Sequence, residues 1–249
     1  MKASVYSCEG KVVRQVDLPH VFETPHRADL IKRAVLSEES MLYQPKGSYR
    51  WAGLNTSARY RGRKDDFGTV KNRGIPHLPH EVLPKGQLGK VKRVPHAVRG
   101  RRAHPPKSAK KIIEFINPKE EMLALASALA FSADRKSVTS RSKDEIGISL
   151  PIIMENSFEK LSKTKDVMKV LESLNLLKLL EKAKRNGTKA PLIVVSEGNV
   201  LKAAANIAGV DVVRASDLKV MHLAPGTHAG RLTLFSENAL PEIAKRFVI

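Results

Sequence analysis

Short apolar runs of strand length recur after residue 150, and stretches with helical periodicity separate them. The chain predicts strands at 151–154, 192–195, 211–214, 220–223 and 232–235. Strands that alternate with helices are typical of a mainly parallel sheet with helices on its faces. The fold class is therefore α/β.

The helices between these strands follow from the spacing of leucine and valine. Apolar positions recur every three or four residues from Thr164 to Arg185, which predicts one long amphipathic helix ended by Asn186-Gly187. A further helix is expected over Glu197 to Ala208, with Ser196 as its N-cap. The last predicted helix runs from about Ser236 to Arg246.

The N-terminal part adds a hairpin and two helices. Two short alternating runs on either side of Glu9-Gly10 predict a pair of strands. Thr24-Pro25 is typical of a helix start, and the apolar positions that follow predict a helix from Arg27 to about Tyr43. Asn117-Pro118-Lys119-Glu120 combines a cap, a proline and an N3 glutamate, so it predicts the start of another helix.

These patterns stop between Pro45 and Lys111. The 67 residues of this basic segment hold 18 Lys or Arg and three acids, Asp65, Asp66 and Glu81. The segment therefore carries +15 of the chain's +19, and all other residues together carry +4. A stretch this basic and rich in Gly and Pro has too little apolar content to fold alone, so a polyanion is expected to order it.

The chain accordingly divides into two parts. Residues 1–44 and 112–249 are expected to form a single globular α/β domain, large enough for a buried core. Residues 45–111 are expected to form an extended basic RNA-binding loop inserted in that domain. Long internal loops of this kind are usually functional, whereas a solubilising tail usually lies at a terminus and is low in complexity.

The rest of the composition indicates the cellular compartment and bears on whether a cofactor or membrane partner is expected. The single Cys8 excludes an internal disulfide framework and fits a reducing compartment. The longest apolar run, Leu123 to Phe131, is too short to span a bilayer, and the N-terminus lacks a signal-peptide core. Basic surfaces also bind anionic membranes, but the segment has seven prolines and no amphipathic period. We expect a cytoplasmic protein without a membrane partner or cofactor.

Catalytic and metal signatures are weak in this chain. Neither G-x-G-x-x-G nor G-x-x-x-x-G-K-[ST] occurs, so the common phosphate-binding loops are missing. The run 196–199 follows a strand at the sheet edge where ligands often bind, but a helix N-terminus capped by Ser196 is the favoured interpretation. His77 and His80 have a spacing that suits a metal only on a helix, and Pro79 opposes one. We predict no enzyme, no catalytic residue, no metal site and no small-molecule substrate.

The basic segment has the composition of an RNA-binding element. Its cations are spread along the chain, so they can each contact a phosphate along an RNA backbone, and eight glycines allow close approach. Tyr49, Trp51, Tyr60 and Phe67 lie among the arginines and can stack on unpaired bases, although Tyr49 and Trp51 can equally pack at the root of the segment. The predicted RNA-binding residues are Lys46, Arg50, Trp51, Arg59, Tyr60, Arg61, Arg63, Lys64, Lys71, Arg73, Lys85, Lys90, Lys92, Arg93, Arg99, Arg101, Arg102, His104, Lys107, Lys110 and Lys111.

Two motifs carry a family resemblance. Residues 101–107 (RRAHPPK) and residues 223–235 (LAPGTHAGRLTLF) resemble the archaeal and eukaryotic branch of the universal large-subunit ribosomal protein four (L-four) family. Weaker support comes from residues 27–34, 125–130, 150–153 and 163–165, so the resemblance covers almost the whole chain. The motif at 223–235 also reads as a tight turn between two strands, in which His228 and Arg231 meet RNA, meet a neighbouring protein, or only hold the turn.

The resemblance implies a structural constituent of the large ribosomal subunit. It implies a globular domain on the outer face, neighbouring ribosomal proteins as partners, no homo-oligomer, and a long loop that enters the large-subunit RNA and helps line the polypeptide exit tunnel. The link 185–191 is shorter than the Arg/Gly-rich insertion that archaeal relatives often carry there. The alternatives are an RNA-processing or RNA-modifying enzyme that holds its substrate with the loop, and a free regulatory RNA-binding protein.

Overall fold

The computed structural model describes residues 1–143 and 147–247. It separates into two compact units, one formed by residues 1–42 with residues from 113 onward and the other by Tyr43–Ile112. The described residues hold eight strands: β1 Lys2–Tyr6, β2 Val12–Asp17, β3 His80–Val82, β4 Leu88–Val91, β5 Ile152–Met154, β6 Leu192–Val195, β7 Asp211–Arg214 and β8 Thr233–Ser236.

Six of the strands form one sheet in the first unit. Its order is β2-β1-β5-β8-β6-β7, in which all neighbours run parallel except the hairpin pair β1 and β2. The predicted mainly parallel sheet is therefore confirmed. Strands β5, β6 and β8 are buried at every position, which explains why β5 and β6 are short continuous apolar runs.

The described residues also hold eight α-helices, and they are α1 Ala28–Ser40, α2 Pro118–Ala133, α3 Arg135–Ser142, α4 Thr164–Ser173, α5 Leu177–Asn186, α6 Val200–Ala203, α7 Val220–Leu223 and α8 Ala239–Arg246. Four short 3-10 turns lie at His20–Glu23, Pro84–Gly86, Asn156–Lys160 and Pro225–Thr227. Helix α3 has no apolar stripe, and the sequence reading missed it. The Asp134 side chain starts this helix by accepting hydrogen bonds from the Lys136 and Ser137 amides.

The helices cover both faces of the sheet because successive side chains of each strand point to opposite sides. One apolar cluster holds Val194 of β6 and Phe235 of β8 with helices α1, α2, α7 and α8. The other holds Ile193 and Leu234 of the same strands with helices α4, α5 and α6 and Val138 of α3. The unit is thus a three-layer sandwich.

The single long helix predicted from Thr164 to Arg185 is wrong. Helix α4 ends at Ser173 and α5 begins at Leu177, with Asn175 between them at φ +53°. Asn tolerates this left-handed conformation better than most residues, and the Leu176 amide bonds back to the Leu171 carbonyl as at a helix end. The predicted end of the second helix at Gly187 is confirmed, with φ +62°.

Three other local predictions are wrong. Residues 220–223 form helix α7, not a strand, because the Glu38 carboxylate of α1 accepts hydrogen bonds from the Val220 and Met221 amides at 3.0 and 2.7 Å. The helix expected over 197–208 is reduced to α6. Helix α1 begins three residues after Pro25 and has no side-chain cap from Thr24, whose hydroxyl donates to the Val21 carbonyl.

The second unit, Tyr43–Ile112, has little regular structure but is internally hydrogen-bonded. Strands β3 and β4 form an antiparallel hairpin across the turn Pro84–Gly86. Ala58 and Val70 are fully buried, and His80 is 6% exposed. The sequence predicts that the segment has too little apolar content to fold alone, and the structure buries only a few small side chains and one histidine within it.

Candidate nucleic-acid interface

The first and last parts of the basic segment lie side by side near its two ends. The Ser48 amide donates to the Pro106 carbonyl at 3.2 Å. Further along, Gly53 takes φ +75° and its α-carbon is so close to Arg101 that an added Cβ would lie 2.6 Å from the Arg101 Cα. Glycine is required there because a side chain has no room and the left-handed backbone disfavours one. Cations from the first and last parts of the segment are thereby brought close to one another.

Most of the predicted RNA-binding side chains are exposed in the structure. The exceptions are Arg61, Lys92 and Arg93, which are partly buried. Within the described residues, Lys92 is the one basic side chain of segment 45–111 that forms an ion pair, with Glu81 at 3.0 Å. Apart from Arg61, Lys92 and Arg93, the cations of the segment are exposed and form no ion pair with any described residue, so they are available to an external partner, as a polyanion-binding surface requires.

The three partly buried cations stabilise the segment itself. Arg61 donates to the Phe67 carbonyl at 2.7 Å, and Arg93 donates to the Ala58 carbonyl at 3.2 Å. Lys92, the residue after β4, pairs with Glu81 on β3 and so holds the two strands of the hairpin together. Sequence reasoning grouped them with the phosphate ligands because residue type alone does not tell a structural cation from a free one.

The aromatic residues of the segment are exposed. Tyr49 is 64% exposed, Trp51 51%, Tyr60 52% and Phe67 77%. Side chains this apolar and this open among cations are the composition of a surface that stacks on bases.

His80 has a structural position that the sequence did not reveal. Its two ring nitrogens lie 2.9 Å from the Gly89 carbonyl oxygen and 3.0 Å from the Pro76 carbonyl oxygen. The Arg59 amide in turn donates to the His80 carbonyl at 3.1 Å. His80 thus ties β3 to β4 and to the residues before it, whereas His77 is exposed.

The carboxyl edge of the parallel sheet, where α/β enzymes commonly bind ligands, is filled by the chain itself. Glu159 is 8% exposed and accepts hydrogen bonds from the Ser196 amide at 3.0 Å, the Ser236 hydroxyl at 2.6 Å and the Asn238 amide at 3.0 Å. Ser196 is not a helix cap, because its hydroxyl donates to Glu242. The Glu159 carboxylate therefore joins the residues that follow β6 and β8 at that edge.

The turn in the second resemblance motif is structural. Arg231 is 2% exposed and donates to Asp211 at 2.7 Å, to the Ala190 carbonyl at 2.8 Å and to the His222 carbonyl at 2.9 Å. Burial lowers the pKa of the Arg231 guanidinium, and Asp211 opposes that shift. Of the alternatives for this turn, the structural one fits Arg231, whose buried guanidinium is not accessible to RNA.

A cleft of about 690 Å³ lies beside this turn in the first unit. It includes part of the short link 185–191 and several cations, among them Arg141 and Lys189. Arg141 donates to the Pro225 and His228 carbonyls, and Lys189 pairs with Asp211 at 2.9 Å. These two cations of the cleft therefore already hold parts of the unit together.

Within residues 1–143 and 147–247, no group of three His, Cys, Asp or Glu side chains is arranged to hold a metal ion. No helix there is long and apolar enough to cross a bilayer.

The chain matches known proteins over almost its full length. Residues 16–246 match the profile described as "Ribosomal protein L4/L1 family". The chain is 42% identical to a protein of Methanocaldococcus jannaschii named large ribosomal subunit protein uL4, over 99% of the chain and 100% of the relative. Proteins of the same name from Methanococcus vannielii and Haloarcula marismortui are 41% and 38% identical, with the same coverage.

Proposed function

The chain belongs to the ribosomal protein L4/L1 family, and on that premise we propose that it is a structural, non-enzymatic constituent of the large ribosomal subunit. We assign its RNA binding to the basic segment, residues 45–111. The RNA-binding residues of this proposal are those predicted from the sequence, with Arg61, Lys92 and Arg93 acting through the shape of the segment and not as phosphate ligands.

The observation that carries the proposal is the separation of charge from fold. The segment holds +15 of the net charge, and among the described residues only one of its cations, Lys92, is paired. The globular unit holds the apolar core and most of the described ion pairs. A surface of unpaired cations without an apolar core favours a polyanionic partner over a protein groove or a small substrate.

The proposed mechanism is charge neutralisation. Exposed Lys and Arg side chains contact phosphates where RNA strands converge, and each contact releases bound counterions into solution. Arginine forks grip phosphate oxygens in pairs, and lysines act as point charges. The exposed Trp51 and Tyr60 add stacking on unpaired bases, which contributes affinity without requiring one sequence.

The finer parts of the proposal concern position in the ribosome. The loop 45–111 extends into the large-subunit RNA and helps line the polypeptide exit tunnel, while the globular unit contacts neighbouring large-subunit proteins as a single copy. Both parts act in the cytoplasm, where the ribosome is located. Exposed apolar side chains of the globular unit, such as Leu36 and Leu123, are candidates for the protein contacts.

One of two other functions loses support from the site. An RNA-processing enzyme needs an open pocket with a nucleophile or base, and Glu159, the acidic group at the sheet edge, is 8% exposed and held by three hydrogen bonds. A free regulatory RNA-binding protein fits the charge equally well. It differs in having no stable place in a ribosomal particle, so assembly is the property to test.

The test is incorporation into reconstituted large subunits. We would compare the full chain with a variant in which residues 43–112 are replaced by a short Gly-Ser linker. The Glu114 amide lies 2.9 Å from the Ser40 hydroxyl, so the ends left by this deletion are already adjacent in the globular unit. The variant should fold, as circular dichroism would show.

The full chain is expected to sediment with the large subunit after a high-salt wash, and the folded deletion variant to be washed off. A full chain that never enters the particle would support the free regulator. A deletion variant retained as well as the full chain would contradict the assignment of RNA binding to residues 45–111.

A further inference from the structure

Residues 61–70 form a closed loop within the basic segment, and Arg61 closes it. The Val70 amide and the Thr69 hydroxyl donate to the Arg61 carbonyl at 3.0 and 3.2 Å. The Arg61 guanidinium crosses the loop to the Phe67 carbonyl at 2.7 Å. Backbone and side chain of one residue thus fasten both the base of the loop and its far side.

Residues inside the loop also form turns with backbone hydrogen bonds to one another. The Asp66 amide donates to the Arg63 carbonyl at 3.3 Å, and the Thr69 amide donates to the Asp66 carbonyl at 3.1 Å. Gly68, at φ +74°, is buried beneath the Arg61 guanidinium. A loop with this many internal bonds is ordered before it meets a ligand, so less conformational entropy is lost on binding.

Phe67 is presented outward by this loop. Its ring rests on Gly86 of the neighbouring turn, where an added Cβ would overlap the ring. The side chain is nevertheless 77% exposed. A ring supported on one side by backbone and open on the other is a ready stacking surface for a base.

Two carboxylates precede Phe67 in the loop. Asp65 and Asp66 are exposed, and none of the described residues forms an ion pair with either, although the segment around them is strongly basic. A carboxylate repels phosphate but accepts hydrogen bonds from N–H groups on base edges. The adjacent Arg63 and Lys64 are exposed and able to hold the flanking phosphates.

We propose that the loop 61–70 binds one unpaired nucleobase with two adjacent N–H donors on its Watson–Crick edge, which is the pattern of guanine. Phe67 stacks on the base, and the carboxylate of Asp65 or Asp66 accepts from the two donors. Arg61 is a positioning residue that holds the loop in shape. This inference rests on the proposed RNA binding and adds base selectivity at one point of a mostly sequence-independent contact.

The experiment is chemical footprinting of large-subunit RNA with kethoxal, which reacts with N1 and N2 of unpaired guanine. The full chain is compared with Phe67→Ala, with Phe67→Trp, which retains stacking, and with Asp65→Asn/Asp66→Asn. The matched control is Phe115→Ala, because Phe115 is 83% exposed and lies outside the segment. Affinity and its salt dependence are measured for every variant on the same RNA.

The full chain, Phe115→Ala and Phe67→Trp are expected to protect a common guanine from kethoxal. Phe67→Ala and the double Asn variant should lose that protection while other protections remain. Phe67→Ala should also bind about 5- to 150-fold more weakly, the range for one lost base stack, with an unchanged salt slope.

Unchanged guanine protection in Phe67→Ala and in the double Asn variant would overturn the inference and leave the proposed function intact. Loss of protection only in Phe67→Ala would leave a stacking contact without base selectivity, and the guanine assignment would be wrong. Absence of salt-dependent binding by the full chain would instead contradict the proposed function itself, on which the inference depends.

Discussion

The two units of this chain use charged residues in opposite ways. In the globular unit, buried or half-buried cations are matched by carboxylates and carbonyls, as Arg231 is by Asp211 and by the Ala190 carbonyl. In the basic segment, among the described residues, a single cation has an acidic partner, and most of the others are exposed. The first arrangement stabilises a fold, and the second leaves the cations available to an external polyanion.

Their cores differ in the same sense. The globular unit buries large side chains such as Phe158, Phe235 and Ile153 on the two faces of its sheet. The basic segment buries only small groups, Ala58 and Val70, together with His80. Apolar burial stabilises by roughly 25 cal/mol per Å², so it contributes much to the first unit and little to the second. Stability and RNA affinity are therefore expected to respond to different substitutions.

The largest effect on stability is expected at the buried cation of the globular unit. Arg231→Met takes one donor from Asp211, which keeps Lys189, and removes the guanidinium from three backbone carbonyls, so the several weakened acceptors, at about 1–3 kcal/mol for each one left unsatisfied, should together cost about 3–5 kcal/mol of unfolding free energy. RNA affinity of the folded variant should not change. Denaturant unfolding and filter binding would check the two parts.

Arg214→Met is the matched control for this prediction. Arg214 ends strand β7 and is exposed, so its loss should alter stability by no more than about 0.5 kcal/mol. Equal destabilisation by the two variants, or a loss of RNA affinity confined to Arg231→Met, would contradict the claim that stability and RNA affinity depend on different units.

The next effect is local to the basic segment. His80→Ala removes the ring that contacts the Gly89 and Pro76 carbonyls, so opening of the hairpin β3–β4 should become easier by about 1–3 kcal/mol. Amide hydrogen exchange should accelerate at Arg59 and Lys92, whose amides bond across this region. Exchange in the globular unit should be unaffected.

The exposed His77 offers the control for the hairpin. His77→Ala keeps the ring contacts of His80, so its exchange pattern should match that of the unchanged chain. If Arg59 and Lys92 exchange at unprotected rates in the unchanged chain as well, the hairpin has no stability of its own in the free protein.

A smaller effect concerns phosphate contacts. Arg63→Ala/Arg73→Ala removes two exposed cations, so the slope of log affinity against log salt should flatten by up to about 1.8 units. When the salt concentration rises from 50 to 200 mM, the variant should therefore lose about tenfold less affinity than the unchanged chain loses. The melting temperature should stay the same, because neither side chain is buried.

Lys163→Ala/Lys165→Ala removes the same charge from exposed positions of the globular unit and serves as the comparison. Its salt slope should stay that of the unchanged chain. A flattening as large as that of the arginine pair would mean that net charge, not its place in the segment, governs binding.

The smallest effect is the pH dependence that Glu38 gives to the globular unit. Burial, supported by the nearby Glu121, raises the pKa of Glu38 above its ordinary 4.5, while the Val220 and Met221 amides and Lys219 oppose the shift. The folded state therefore holds a proton more tightly than the unfolded state does, and unfolding free energy falls as pH rises from about 4.5 through the raised pKa.

Glu38→Gln removes this titration and keeps an acceptor oxygen. The stability of the unchanged chain relative to this variant should decrease between pH 4.5 and the raised pKa and be constant above it, as measured by denaturant unfolding across pH. A relative stability that increases over that interval would mean that the amide hydrogen bonds dominate burial.

Local sequence patterns were sufficient for the elements that are buried on both faces. Strands β5 and β6 are continuous apolar runs, and a helix with one apolar stripe such as α1 has a clear period. One missed feature depends on a distant partner, because helix α7 uses Glu38 from α1. The break before α5 is local, but the apolar period continues across Asn175 and conceals it.

The candidate interface was predictable in its extent but not in its internal roles. Charge and glycine content located the segment, and most of the predicted side chains are exposed. Composition did not distinguish Arg61 and Arg93, which donate to backbone carbonyls, from the free Arg63. It also gave no sign that His80 is buried while His77 is exposed. These distinctions arise from tertiary hydrogen bonds that residue type does not specify.

The most direct measurement is RNA binding across a salt series for the full chain and for the variant with residues 43–112 replaced by a short Gly-Ser linker. Large-subunit RNA is the ligand, and an unrelated structured RNA is the control. If residues 45–111 bind the RNA, the variant should unfold as cooperatively as the full chain but lose most of its affinity and most of its salt slope. A folded variant with the affinity and slope of the full chain would locate the RNA site in the globular unit and contradict the assignment of RNA binding to residues 45–111.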